Sequence, residues 1–395
     1  MSFNKKLPFM VIYLAALAAF PPFSTDIYLA SMPTIQQFFQ TSAALVQWTL
    51  SLFFIGFALA QLLWGPLSDR IGRKKVIFLG VSIYFLASLL CAWSHNIYFL
   101  IVARLLQAIG ACSGVVMAMA IVKDSFPEHT QMSKILSIML GTMAIAPMVA
   151  PIIGSFLLVH INWQANFYFL AIYALLLLIA SIFFAESHPA KMRKPLPMNQ
   201  LLKAYGQQIS CPTFLLATLA TATNFSVMFA FIAASPLIYI KIYHLPAGLF
   251  GYFFVINASS LLLANFSLNR LRKHQFNTQK IISLAVAMVT LGAIVMFAVI
   301  YMGGSSIWNI ALPAFLVTYG VGILYPELTA CALQNIVAYT GIASSLLGTI
   351  RFILAGFISM LMGIAINTSA LPLAIVMLIL GGFTGLLMLF YFRKT

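Results

Sequence analysis

Gly65-Pro66-Leu67-Ser68-Asp69-Arg70-Ile71-Gly72-Arg73-Lys74-Lys75 stands between two long apolar runs, 43–65 and 76–94. Each run is close to the roughly 20 residues that an α-helix needs to cross a bilayer core. The stretch between them carries four cations and one acid. It therefore reads as the basic turn of a membrane hairpin, the kind of connection retained on the cytoplasmic side.

Runs of the same length recur along the chain. In the first half they cover 8–31, 43–65, 76–94, 98–121, 134–159 and 164–185; in the second, 213–240, 246–268, 281–302, 307–335, 341–366 and 371–392. The run after the basic start MSFNKKLP continues past any small-x-small cleavage pattern, so it reads as a first span and not as a removed signal. The proline- and cation-containing stretch around 186–212 divides the chain near its middle. The expected organisation is a six-helix bundle over 1–190, a cytoplasmic linker over 191–212 and a second six-helix bundle over 213–395. The fold class is all-α and membrane-embedded, with twelve transmembrane helices in two pseudo-symmetric bundles.

Composition agrees. Of 395 residues, 63% are hydrophobic and 7% charged, and the mean hydropathy is +1.03. A soluble domain carries about 25% charged residues, so lipid must be this chain's main solvent. The net charge of +15 does not point to nucleic acid, because the cations form no soluble basic face. With the N-terminus cytoplasmic, eighteen of them fall in segments on one side, Lys241 alone falls on the other, and Arg104 and Arg351 lie inside spans. That asymmetry places both termini in the cytoplasm and requires an even number of spans. Cys91, Cys112, Cys211 and Cys331 lack metal-ligand spacing. The six histidines are scattered over loops and span edges, so no cofactor, metal or enzymatic centre is expected.

The halves are related. The basic segment 65–77 between spans two and three has a counterpart, LNRLRKHQFNTQKII at 268–282, between spans eight and nine. Paired six-span repeats are a transporter signature, with the binding site between the halves. They argue against a channel, and Asp26 and Arg104 argue against an uncoupled facilitator.

The 65–75 stretch resembles the hallmark loop of the major facilitator superfamily. Gly65 suits close helix approach, Gly72 a tight turn, and Asp69, with Arg70 and Arg73 beside it, can latch cytoplasmic helix ends together. Arg104-Leu105-Leu106-Gln107-Ala108-Ile109-Gly110 resembles the superfamily's span-four arginine motif, with Ala108 in place of a usual glycine. In span five, Pro147, Pro151 and Gly154 look like the proline–glycine motif of the exporters. Asp26-Ile27-Tyr28-Leu29 with Met32-Pro33, and Val122-Lys123-Asp124 after span four, are similar to the bicyclomycin and chloramphenicol resistance branch of the drug:proton antiporters. The resemblance implies a proton-coupled multidrug efflux transporter of the bacterial inner membrane that works by alternating access. It would act as a monomer in the lipid bilayer, with protons and a small, lipophilic drug or metabolite as its partners. A dedicated exporter of one endogenous compound, such as a siderophore or an amino acid, is the alternative.

The chain has only six acids, and of these Asp26 and Glu327 alone fall inside spans. Buried charge in a span marks function or an ion pair. Desolvation and a nearby guanidinium act on such a carboxyl in opposite senses, which suits it to proton exchange. Asp26 and Arg104 lie at similar depths, as do Glu327 and Arg351, counting about 1.5 Å per residue. Two acid–arginine pairs, one per half, are therefore expected; the alternative for Arg351 is contact with an anionic cargo group. The cavity should be aromatic, with Tyr28, Asn224, Phe225, Met228, Tyr239, Tyr319 and Tyr325 as its candidate wall. Pro326, before Glu327, should loosen span ten locally.

Overall fold

Most of the 65–75 stretch is helical. The structure, a computed structural model, describes residues 3–126, 128–193, 197–304, 306–334, 336, 340–366 and 368–394. Helix α3 (Ala43–Ile71) starts where the Ser42 hydroxyl accepts a hydrogen bond from the Leu45 amide at 3.2 Å. It runs through Pro66 and stops at Gly72, whose φ of +100° is a left-handed conformation that glycine adopts without strain. Helix α4 (Arg73–Ala92) begins at the next residue. The apolar run thus ends at the bilayer edge while the helix continues: α3 is about 43 Å long against a hydrocarbon core of about 30 Å.

The other helices are α1 (Phe3–Asp26), α2 (Met32–Phe38), α5 (Ile97–Ser125), α6 (His129–His160), α7 (Gln164–Ile182), α8 (Met198–Ile209) and α9 (Pro212–Pro236), followed by α10 (Ala247–Lys273), α11 (Thr278–Tyr301), α12 (Trp308–Leu333), α13 (Thr340–Ala365) and α14 (Leu371–Lys394). Among the described residues, twelve helical segments are long and apolar enough to cross a membrane. They match the twelve hydropathy runs, with two notable extensions. The first continues beyond α1 through a 3-10 turn (Leu29–Ser31) into α2 and ends at Phe38. The seventh continues beyond α9 as a π-helical turn, Leu237–Ile242, after Pro236. The expected linker 191–212 contains a helix of its own, α8, which buries Leu201 and Ala204 and exposes Leu202. Lys194, counted with the linker's cations, lies outside the described residues.

Without water to expel, membrane helices associate through close backbone approach at small residues. Both halves show this at the same helix pair. In α4 and α5, a methyl on Gly110 would sit 2.6 Å from the Gly80 carbonyl oxygen and the Tyr84 nitrogen. In α11 and α12, one on Gly320 would sit 2.9 Å from the Ala285 carbonyl oxygen. Large apolar side chains such as Leu63, Phe183 and Phe266 are exposed on the outer surface, as suits a lipid-facing shell.

The halves meet along two seams, α3 with α13 and α6 with α10. On α3, Gln47 donates its amide to Ser359 at 3.0 Å, and a methyl on Gly356 would sit 3.0 Å from the Ser51 carbonyl oxygen. Farther along the same seam, the Thr349 hydroxyl donates to the Ala58 carbonyl at 3.0 Å. Beyond Gln61 the two helices part around a cleft of ≈650 Å3, bordered by Gly65 and Asp69 on one side and by Gly341 and Ser344 on the other. In the second seam Gly251 lies directly on the Pro151–Ile152 backbone. The halves are therefore closed on the face away from the basic loops and parted on the basic face.

Candidate functional site

In the first half, α1 ends at Asp26, which is buried, and the Thr25 hydroxyl donates to its carboxylate at 2.8 Å. The expected Asp26–Arg104 pair is not formed: among the described residues no cation lies within ion-pair distance of Asp26. Arg104, on α5, points into the interior of its own bundle. Its guanidinium lies over the rings of Tyr28 (4.3 Å), Phe53 (4.5 Å) and Phe167 (5.8 Å), and it donates to Gln107 at 2.5 Å. Gln107 in turn donates to Ser88 at 2.8 Å. Equal depth did not give equal azimuth: the helix turns about 100° per residue, so two residues on one level can face different neighbours. An aromatic cage is a workable substitute for a carboxylate, because a desolvated cation–π contact is worth about 2 kcal/mol.

In the second half the expected Glu327–Arg351 pair is also replaced. Glu327, nearly buried on α12, is bound by Arg272 from the end of α10 at 2.9 Å. Arg272 belongs to the second copy of the basic loop, which thus grips its own bundle. Arg351, on α13, instead stacks on Phe225 (4.4 Å), Phe352 (5.0 Å) and Tyr325 (5.3 Å), and donates to the Tyr325 hydroxyl.

Between the halves lies a cavity of ≈310 Å3, within the range of small-molecule sites. Asp26 and Arg351 both line it, one from each half, together with Pro147 of α6. So do three of the seven expected wall residues, Phe225, Met228 and Tyr325. The other four lie elsewhere. Tyr28 packs under Arg104 and hydrogen-bonds Thr49 at 3.1 Å. Asn224 donates to the Val321 carbonyl at 3.2 Å, Tyr319 donates to Ser267 at 2.6 Å, and Tyr239 is buried against Phe250 and Phe253. In their place the wall is built by rings that the sequence did not single out: Phe53, Phe54, Phe229 and Phe352. Phe57 backs Phe352 at 4.6 Å. With 34 phenylalanines in the chain, nothing in the sequence alone separates these from lipid-facing ones.

The exporter-like motif in α6 contributes packing. The helix runs unbroken from His129 to His160 through Pro147 and Pro151. Pro151 and Ile152 receive Gly251 of the other half, and Gly154 lies against the Ile27 carbonyl of the first span.

The basic-loop residues form a knot within the first half. Arg73 binds Asp69 at 2.6 Å and Asp124 at 3.0 Å, and also donates to the Ser68 hydroxyl. The Arg73 and Lys74 amides at the start of α4 donate to Glu186 at 3.0 and 3.3 Å, and Arg193 closes on Glu186 at 3.8 Å. Arg70 is exposed and takes no part in the ion pairs of the described residues. Gly65, expected to approach a neighbouring helix closely, borders the open cleft, and among the described residues no atom of another helix lies within 4 Å of where a methyl would stand. The latch expected between helix ends is thus engaged inside one bundle and free on the side facing the other. Tyr205 of α8 lines the same cleft, and burial holds its phenol above the ordinary pKa.

The sequence model of the Major Facilitator Superfamily matches residues 14–360. A bicyclomycin resistance protein homolog of Haemophilus influenzae is 30% identical over 95% of this chain and 94% of its own length. Multidrug resistance protein D of Escherichia coli is 25% identical over 94% of this chain and 93% of its own. Among solved structures, a partially occluded inward-open form of the E. coli xylose transporter XylE superposes with a TM-score of 0.75 at 14% identity, over 98% of each chain. At that identity the likeness speaks for the fold alone.

Proposed function

Because the chain belongs to the major facilitator superfamily, we propose that it is a multidrug efflux pump of the bacterial inner membrane that exchanges small molecules for protons. The observation that carries this reading is the aromatic cavity between the halves, with one carboxyl, Asp26, and one guanidinium, Arg351, in its wall. The names of the relatives support drugs as cargo. In this reading both termini and the basic loops are cytoplasmic, so the structure stands open to the cytoplasm and shut toward the outside. Cargo enters from the cytoplasm or inner leaflet and lodges among the rings. Asp26 gives up its proton to admit cargo and takes one up again from the outside to expel it. Of the two embedded acids it alone borders the cavity; Glu327, the other coupling candidate, serves with Arg272 to hold the second half together.

Return to the outward-open form requires the cytoplasmic cleft to close. Gly65 and Asp69 border that cleft opposite the first turn of α13, and a methyl on Gly65 would meet no neighbouring atom among the described residues. The positive end of the helix dipole favours a carboxylate there, so Asp69 and Arg73 act as the latch of the cytoplasm-closed state.

The opposite charges of Asp26 and Arg351 also suit a zwitterion, which keeps the narrow metabolite exporter as a second reading. A panel of lipophilic drugs, siderophores and amino acids, added to acidified inside-out vesicles with a lumenal pH dye, separates the two. Proton release evoked by several unrelated drugs supports multidrug efflux. Release evoked by a single siderophore or amino acid supports the narrow exporter, and no response to any of them refutes both.

A further inference from the structure

Helix α6 has two exposed faces in its cytoplasmic half. With a turn of about 100° per residue, Ile138, Ile145 and Val149 fall together on one side of the helix, and Leu140, Ala144 and Pro147 on another. The first three are exposed apolar side chains of the outer shell. The second three line the cavity between the halves, yet Leu140 is 56% exposed. Between the two faces stand Gly141 and Met148, each partly exposed. Helix α10 repeats the arrangement. Leu263 and Phe266 are exposed on its outer side, Leu261 and Asn265 line the cavity, and Asn265 is itself exposed. Leu140 and Asn265 thus belong to the cavity wall and to the molecular surface at once. Farther toward the closed face the same two helices touch, where Gly251 rests on Pro151 and Ile152.

The exposed cations Lys134 on α6 and Arg270 on α10 mark the headgroup level of the basic face. Leu140 lies six residues from Lys134 and Asn265 five from Arg270, about 9 and 8 Å along the helices. Both therefore stand at the depth of the inner leaflet of a hydrocarbon core about 30 Å thick. The gap on the other side of the molecule, between α3 and α13, has a different character. Asp69, Arg73, Lys123 and Asp124 line it, and α8 borders it with Leu201 and Tyr205. An apolar molecule must leave the bilayer to pass those charges, whereas between α6 and α10 it stays among apolar groups.

We propose that lipophilic cargo reaches the cavity sideways from the inner leaflet, through a portal between α6 and α10 whose rim is Leu140 and Asn265. The portal receives cargo that the bilayer has already concentrated. The proposal rests on the reading of this cavity as the cargo site.

Bimane attached at Leu140→Cys and, separately, at Asn265→Cys reports which medium reaches the rim, in the full chain lacking its native cysteines and held in nanodiscs. Lipids brominated on their acyl chains should quench both labels more than aqueous iodide does; a label at Ser345→Cys, in the α3–α13 cleft, is the aqueous reference. Stronger quenching by iodide at 140 and 265, or quenching by neither, overturns the portal. Ethidium association, followed by stopped-flow anisotropy, tests passage. Ala144→Trp, or Ala144→Phe if the larger ring does not fold, should slow association about tenfold, whereas Ser345→Trp should leave it within about twofold of the wild type. Slowing by Ser345→Trp alone, by both equally or by neither overturns the portal. Phe352→Ala reads the cavity separately. If it does not speed ethidium release, the cargo-site reading falls and the portal falls with it. Faster release together with iodide-dominated quenching at the rim removes the portal and leaves the cargo site standing.

Discussion

Gly251 is where the outer closure is most sensitive. It belongs to the second half and rests on the α6 backbone of the first. A methyl at this position would sit 2.7 Å from the Ile152 Cα and 2.8 Å from the Ile152 nitrogen and the Pro151 oxygen. All three are backbone atoms, so no side chain can swing away. Ordinary contact begins near 3.4 Å, and the helices must separate by about 0.7 Å to admit the methyl. Overpacking of this kind costs about 1–3 kcal/mol. The cost applies only while the outer face is closed, so Gly251→Ala should shift the balance toward the outward-open form by about thirtyfold, taking 2 kcal/mol as the middle value. Spin labels at the exposed positions Ile161 and Tyr252, in a background lacking the native cysteines, report the α6–α10 separation by pulsed electron resonance. The variant should show a longer distance population at the expense of the wild-type one. Gly382→Ala, where a methyl meets no neighbouring atom within 4 Å among the described residues, is the matched control and should leave the distribution unchanged. If Gly251→Ala and wild type give the same distribution, the two halves do not gate at this contact and the reasoning is refuted.

Three further outcomes follow from the same geometry. Arg73→Ala removes the cation that joins Asp69, Ser68 and Asp124; it should cost about 2 kcal/mol, seen as a lower melting midpoint by tryptophan fluorescence, and an unchanged midpoint contradicts the knot. Glu327→Gln breaks the Arg272 pair away from the cavity, so melting should drop while cargo-evoked proton release persists; complete loss of release would place Glu327 in the coupling path. Phe352→Ala deletes a ring that contacts Phe57, Phe225 and the Arg351 guanidinium; the KM for ethidium efflux should rise about tenfold, and an unchanged KM would remove Phe352 from the cargo wall.

The twelve spans were legible because apolar run length is a direct consequence of bilayer thickness. Helix ends were not, because hydropathy registers the edge of lipid and not the edge of the hydrogen-bond ladder: Pro66 to Ile71 are polar enough to read as a loop yet lie inside α3. Helix α8 was missed inside the linker although Leu201, Ala204 and Tyr205 carry helical spacing, since its 12 residues are too short for a span window. Rare residues identified the site better than common ones. With six acids in the chain, Asp26 stood out and does reach the cavity. The arginine expected beside it, Arg104, is not there, because span depth fixes the level of a side chain and says nothing of the direction it faces. Arg104 turns inward to an aromatic cage and Arg351 outward to the cavity, a difference set by helix rotation.

The most direct test of the account is cargo-evoked proton release by the purified protein in proteoliposomes, acid inside and carrying a lumenal pH dye, with wild type and Asp26→Asn compared at equal reconstitution. Adding cargo to the wild type should collapse the pH gradient, whereas Asp26→Asn should still bind cargo but release no protons. Full proton release by Asp26→Asn would contradict it.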